Sequence, residues 1–245
     1  PATNETQSAY PCADHPTLTD QLNAKGISWK YYTPSPGSIW TSPNAIQHMC
    51  GPDNPPPNGT VCQGSDWTNH VDLDNIDVLL DIQSGNLPAV SWVIPTSQES
   101  DHAGNSVDTG PSWVAAIVNA VGTSKYWADT AIIVTWDDWG GWYDHVDPPV
   151  VETWNHTHAQ RADDELAEFD GQPFRYGSRV PCLVVGPYAK PGHISSQLNS
   201  HVSLLKFCQT TFGLDSLTDR DAASNGMSDC IDLTQSPNQA ADPTA

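Results

Sequence analysis

Three stretches with almost no polar interruption, LPAVSWVIP (87–95), TAIIVTW (130–136) and RVPCLVVGP (179–187), alternate along this chain with stretches whose apolar residues recur at helical spacing. A strand that is apolar at nearly every position is buried on both faces. Short strands achieve this in a parallel sheet with helices packed on each side. The pattern predicts an α/β fold, a mostly parallel sheet with helices on both faces, in one domain over 1–245. TAIIVTW reads as a central strand, RVPCLVVGP as another buried one, and ISWKYY (27–32) as a further strand.

The helical stretches carry their own signals. In TLTDQLNAKG (17–26), Thr17 and Asp20 have capping-box spacing and Gly26 is a stop. LDNIDVLLDIQSG (73–85) reads as a helix with Ile76, Leu79 and Leu80 inward. PSWVAAIVNAV (111–121) places Trp113, Val114, Ile117, Val118 and Val121 on one face, with Pro111 in the first turn, where proline is tolerated. SHVSLLKFCQTTFG (200–213) is a helix ending at Gly213. Residues 33–66 are a long Pro-rich loop, 151–178 a polar surface insertion, and the tail 214–245 wraps the surface.

Composition excludes several functions. With 29 acidic and 9 basic residues the formal charge is −20, which repels nucleic acid and anionic membranes. No apolar run approaches the roughly 20 residues needed to span a bilayer, so stable membrane insertion is not expected. Six cysteines without a CxxC pair favour disulfides over structural zinc, and with them an oxidising, secreted or periplasmic setting. Cys50 and Cys62 are the first candidate pair, while Cys182 and Cys208 read as buried thiols. Sequons at Asn4, Asn58 and Asn155 matter only in a glycosylating host.

In sheets of this kind ligands gather beyond the carboxyl ends of the strands. TWDDWGGWYDHVDPP (135–149) lies at one such end and the polar loop around SDHAG (100–104) at another. Gly140 and Gly141 permit a sharp reversal after the strand, which can bring Asp137 and Asp138 onto one point. Two carboxylates so close favour a bound cation or a shared proton. Oxygen ligands suit Mg, Ca, Mn, Zn or Fe. The plainer reading is a solvated acidic turn.

The blocks TAIIVTWDDWGGWYDHVDPP, RVPCLVVGPYAKPGHIS and HVSLLKFCQTTFGLDSLTDRD, preceded by PTLTDQLNAKGISWKYY and SDHAG, resemble in order and spacing the bacterial phosphoesterase family that includes phospholipase C and an acid phosphatase. The resemblance implies an alkaline-phosphatase-like fold and hydrolysis of phosphate esters through a metal-activated Ser or Thr. It implies that Asp137 and Asp138 bind the metal and that His102 binds the phosphate, where a histidine can protonate the leaving oxygen. His48, in SPNAIQHMC, falls near a substrate-facing histidine of that family and is a second catalytic candidate. Trp139, His145 and His201 are candidate substrate-binding residues. Each also has a structural reading: packing for the tryptophan, a turn hydrogen bond for His145, and helix capping for His201. Asp144 reads as a turn-stabilising side chain.

The resemblance also has a gap. The family's Glu-Asn metal motif and its nucleophile motif do not precede these blocks here, and TSPNA (41–45) mimics a nucleophile signature in the wrong order. The expectation is therefore a chain lacking the first part of that fold, partnered by an upstream segment of the same precursor that supplies the nucleophile. A competing expectation from another class is a non-catalytic secreted module that binds glycans through its tryptophans.

Overall fold

The computed structural model describes residues 13–37, 40–51, 62–105, 109–155 and 170–240. The sequons at Asn4 and Asn58 and much of the predicted insertion lie outside these residues. The described chain runs α1 (Leu18–Lys25), β1 (Trp29–Tyr32), α2 (Gln47–Cys50), α3 (Ser65–His70), β2 (Val71–Asp72), α4 (Asp77–Ser84), β3 (Val90–Val93), α5 (Thr109–Gly122), β4 (Ile132–Thr135), β5 (Val150–Thr153), β6 (Pro173–Arg175), β7 (Cys182–Val185), α6 (His201–Phe212) and α7 (Asp219–Ala223), with short 3₁₀ turns between them. Two compact units result, one of residues 1–132 with 185–245, the other of 133–184.

The larger unit shows why the sequence alternates as it does. Its sheet has the order β2-β1-β3, all parallel, with Tyr31 opposite both Val71 and Trp92 and Tyr32 opposite Asp72 and Val93. Side chains of β1 alternate in direction. Trp29 and Tyr31 join Leu18 and Leu22 of α1 and Met49 of α2, with Leu205, Cys208 and Phe212 of α6 against them. Tyr32 goes the other way, into a cluster of Val78 and Ile82 from α4 and Trp113 and Val121 from α5. Helices thus cover both faces of a parallel α/β sheet, as the continuous apolar strands predicted.

The sheet is smaller than that reading. Among the described residues β4 pairs with β7 in a two-stranded sheet, and β5 pairs antiparallel with β6 in another. β4 is therefore not a central strand, and its residues are half-buried. Nor is β7 buried throughout: Cys182 and Leu183 are exposed. An apolar run shows that a strand has faces to cover, but it does not name the neighbours that cover them.

Most local signals act as their spacing predicts. Thr17 and Asp20 form the reciprocal capping box of α1, and Gly26 ends it in the left-handed region. Gly213 ends α6 in the same way. Cys50 and Cys62 form a disulfide. The phase of α4 differs from the sequence reading. Val78 and Ile82, four apart, face the core, while Ile76 and Leu80 are 55% exposed. A helix with apolar residues at 76, 78, 79, 80 and 82 offers two competing stripes, and packing against Tyr32 and Trp113 selects the one through 78 and 82. Cys208 is half-buried, and burial pushes its thiol up to about 11.

Candidate functional site

The acidic loop begins where β4 ends. Asp137 and Asp138 are both exposed. Asp138 Oδ1 accepts a hydrogen bond from the Gly140 amide at 2.6 Å. Gly140 and Gly141 have φ of 62° and 79°, the left-handed region that glycine enters without Cβ strain. Trp142 N then donates to Trp139 O at 3.1 Å, closing the turn. The Asp-Asp-Trp-Gly-Gly order therefore makes a reversal that displays two carboxylates.

Asp144 holds the loop in shape. Its Oδ1 accepts from the Val146 amide at 3.1 Å and from Arg179 Nη2 at 2.9 Å. Its Oδ2 accepts from Arg179 Nε at 2.8 Å and from the Arg179 amide at 3.1 Å. The Arg179 fork, first among these donors, holds the Asp144 carboxyl well below the usual carboxylate range. Asp144 is thus the turn-stabilising residue the sequence suggested, with a clamp on Arg179 in addition. No local spacing announces a pair 35 residues apart. His145 is exposed, its Nδ1 3.7 Å from Asp144 Oδ1. Trp139 is 43% exposed, and its ring lies so close to Gly177 that a Cβ there would fall 2.7 Å from Cζ3. Trp142 and Tyr143 are more exposed still, at 72% and 90%. One face of this loop is therefore aromatic and open to solvent.

His102 lies in the other unit, on the SDHAG loop. It is exposed; its amide donates to Ser100 Oγ at 3.2 Å and its ring Nδ1 lies 3.0 Å from Ala103 O. A carbonyl only accepts, so Nδ1 carries the proton and Nε2 is the atom left for chemistry. The Trp40 ring approaches edge-on, with centroids 6.4 Å apart. The residue before it, Asp101, has φ of 57°, rare outside glycine. Its Oδ1 is buried without a hydrogen-bond partner among the described residues, and a Cβ on Gly110 would lie 2.2 Å from it. Strain and an unsatisfied acceptor beside a histidine are features that cluster at functional sites. The histidine is visible in the sequence; the strain is not.

The remaining candidates are scattered. His48 sits on α2, with Nδ1 2.7 Å from Asp14 Oδ1 and Nε2 3.2 Å from Asp20 Oδ1. His201 is the first residue of α6, exposed, next to the Ser200–Ser203 capping box. Among the described residues, the groups of three or more His, Cys, Asp or Glu whose ligating atoms lie within 4.8 Å of one another are Asp20/His48/Asp66 and His193/Asp229/Cys230. The Asp137–Asp138 pair belongs to neither. In the nucleophile-like TSPNA, Ser42, which stands before Pro43 and Asn44, is exposed, while Thr41 is fully buried; the Thr41 hydroxyl donates to Ser35 O at 2.7 Å and shares a hydrogen bond with Thr33 Oγ1 at 2.8 Å. No helix of the described residues is long and apolar enough to cross a membrane.

A parallel α/β sheet clothed by helices does not by itself name a function, and the class comes from similarity to known proteins. The family model named Phosphoesterase family matches residues 2–215, and the chain belongs to that family. It is 28% identical to the non-hemolytic phospholipase C of Pseudomonas aeruginosa over 216 residues, which is 81% of this chain and 30% of that protein. It is 32% identical to phospholipase C B of Mycobacterium tuberculosis over 175 residues, 66% of this chain and 33% of that protein. Non-specific phospholipase C6 of Arabidopsis thaliana is 28% identical over 174 residues, 64% of this chain and 33% of that protein. The chain thus spans about a third of the length of the curated relatives it matches.

Proposed function

We propose that this protein hydrolyses phosphate esters in the manner of a phospholipase C, a phosphoric diester hydrolase. The Asp137–Asp138 loop at the end of β4 carries the reading, because it falls within the stretch matched to the Phosphoesterase family, whose relatives are named phospholipases C. The loop fits a divalent cation by its chemistry: two exposed hard-oxygen donors, on a turn whose glycines hold positive φ. A cation held there supplies charge neutralisation at the phosphoryl oxygens.

The chain's own residues contribute the rest of what can be assigned. The Asp144–Arg179 clamp fixes the backbone after the turn, so the two carboxylates are held in place before substrate arrives. His102, with Nδ1–H committed to Ala103 O, presents Nε2; when that nitrogen is protonated it can pass the proton to a leaving oxygen. Trp139, Trp142 and Tyr143 offer an apolar surface to the non-phosphate part of a substrate. Thr41 offers no nucleophile, since its hydroxyl is buried and donates to Ser35 O, whereas Ser42, the residue that stands before Pro43 in the signature, is exposed. The disulfide and the acidic charge suit an exported enzyme.

The proton-donor role of His102 makes a specific demand. In the native protein, His102→Ala lowers kcat on an alkyl phosphodiester by roughly 10²–10⁴. An activated nitrophenyl ester, whose leaving group needs no proton, loses far less. Equal losses on both esters would assign His102 to substrate binding instead.

A further inference from the structure

Asp20, His48 and Asp66 come from three helices, α1, α2 and α3, and their ligating atoms lie within 4.8 Å of one another. Each is held by a partner outside the group. Asp20 Oδ2 accepts from the Thr17 amide at 2.7 Å and from Thr17 Oγ1 at 2.9 Å, which leaves Oδ1 turned toward His48. The Asp66 carboxylate accepts from Asn23 Nδ2 at 3.1 and 3.2 Å, and Asn23 Oδ1 in turn accepts from Trp29 Nε1 at 2.7 Å. His48 Nδ1 donates to Asp14 Oδ1 at 2.7 Å, which leaves Nε2 as the free ring nitrogen, 3.2 Å from Asp20 Oδ1.

His48 Nε2 is the telling atom. It is shielded from solvent and has no hydrogen-bond partner among the described residues, although Asp20 Oδ1 lies 3.2 Å away. An imidazole nitrogen lone pair 3.2 Å from a carboxylate oxygen is repulsive unless a proton or a metal cation lies nearby. In a tetrahedral site with bonds of about 2.0 Å, neighbouring ligand atoms stand about 3.3 Å apart, close to this separation. A histidine whose other nitrogen is bonded to a carboxylate is also the usual way proteins orient a metal-binding imidazole.

We infer that Asp20, His48 and Asp66 bind a divalent cation of the zinc type, with Asp14, Thr17 and Asn23 orienting the ligands. The site is separate from the Asp137–Asp138 loop and uses none of its residues. Its consequence is structural: the ion ties α1, α2 and α3 together beside the Cys50–Cys62 disulfide, where α2 ends.

The test is zinc stoichiometry on the EDTA-stripped chain, in an Asp137→Asn/Asp138→Asn background so that the other loop contributes no metal. After incubation with zinc chloride and dialysis, this background retains one equivalent, and a hundredfold excess over Kd raises Tm by about 5–10 °C. Adding His48→Gln or Asp66→Asn abolishes both the bound equivalent and the shift. Cobalt(II) gives a second readout, the visible bands of a nitrogen-ligated tetrahedral ion, lost in His48→Gln. Should Asp66→Asn and His48→Gln keep the equivalent and the Tm shift, or should the background bind no zinc, the inference is overturned. Either result leaves the phosphoesterase reading as it stood, since every arm lacks the Asp137–Asp138 carboxylates.

Discussion

Asp221 joins the last two helices, and replacing it with asparagine isolates one buried charge. The residue is 1% exposed and its carboxylate accepts four hydrogen bonds. Oδ1 accepts from Thr218 N and Thr218 Oγ1, both at 2.6 Å; Oδ2 accepts from Gln209 Nε2 at 2.6 Å and Leu217 N at 2.7 Å. Burial works against the charge, but the hydrogen bonds from Thr218, Gln209 and the backbone outweigh it and pull the carboxyl from 3.8 to about 2. A carboxylate that binds its proton near pH 2 when folded and 3.8 when unfolded stabilises the fold by about 2.5 kcal/mol at neutral pH. In Asp221→Asn the Nδ2 group faces two donors, so about 2–4 kcal/mol is lost and Tm falls by about 5–10 °C. The sign of the pH dependence comes from the lowered value. The contribution is present above pH 3.8 and disappears as pH falls through about 2. Urea denaturation at pH 7, 5, 4 and 3 therefore shows a gap between parent and variant that is constant down to pH 5 and narrows below pH 4. A gap that is the same at pH 7 and pH 3, or one below about 0.5 kcal/mol throughout, refutes the reasoning.

Two further substitutions check the fold and the loop. Ile82→Ala, at a position 4% exposed, costs about 2–5 kcal/mol by urea denaturation, whereas Leu80→Ala, 55% exposed, stays within about 0.5 kcal/mol. Gly140→Ala forces a side chain into φ of 62° and costs about 1 kcal/mol; in the native protein it weakens cation affinity more than it lowers Tm.

Signals that act over a few residues were legible in the sequence. The Thr17–Asp20 box, the Gly26 and Gly213 stops and the Asp-Asp-Trp-Gly-Gly reversal each depend on neighbours in the chain. Helices on both faces of the sheet were legible too, because the strands are apolar at almost every position. Partners chosen by tertiary packing were not. The stripe of α4 that turns inward is selected by Tyr32 and Trp113, and among the described residues β4 pairs with β7. Lys30 Nζ reaches Asp81 at 2.6 Å, and Tyr32 OH donates to the same carboxylate at 2.6 Å, a network that no spacing in the sequence predicts. In the candidate site the two aspartates and His102 could be named from motif and resemblance. The Asp144–Arg179 clamp and the strained Asp101 could not, since one is a long-range pair and the other a backbone conformation.

The proposed hydrolysis depends on a cation held by Asp137 and Asp138. Its most direct test measures hydrolysis of a phosphodiester by the native protein after EDTA treatment, then with each of Zn²⁺, Ca²⁺, Mg²⁺, Mn²⁺ and Fe²⁺ restored, alongside Asp137→Asn and Asp138→Asn. EDTA should abolish turnover, at least one of these ions should restore it, and either asparagine variant should fold normally yet need far more metal for a lower rate. Full turnover in EDTA, or asparagine variants with unchanged metal dependence, would contradict it.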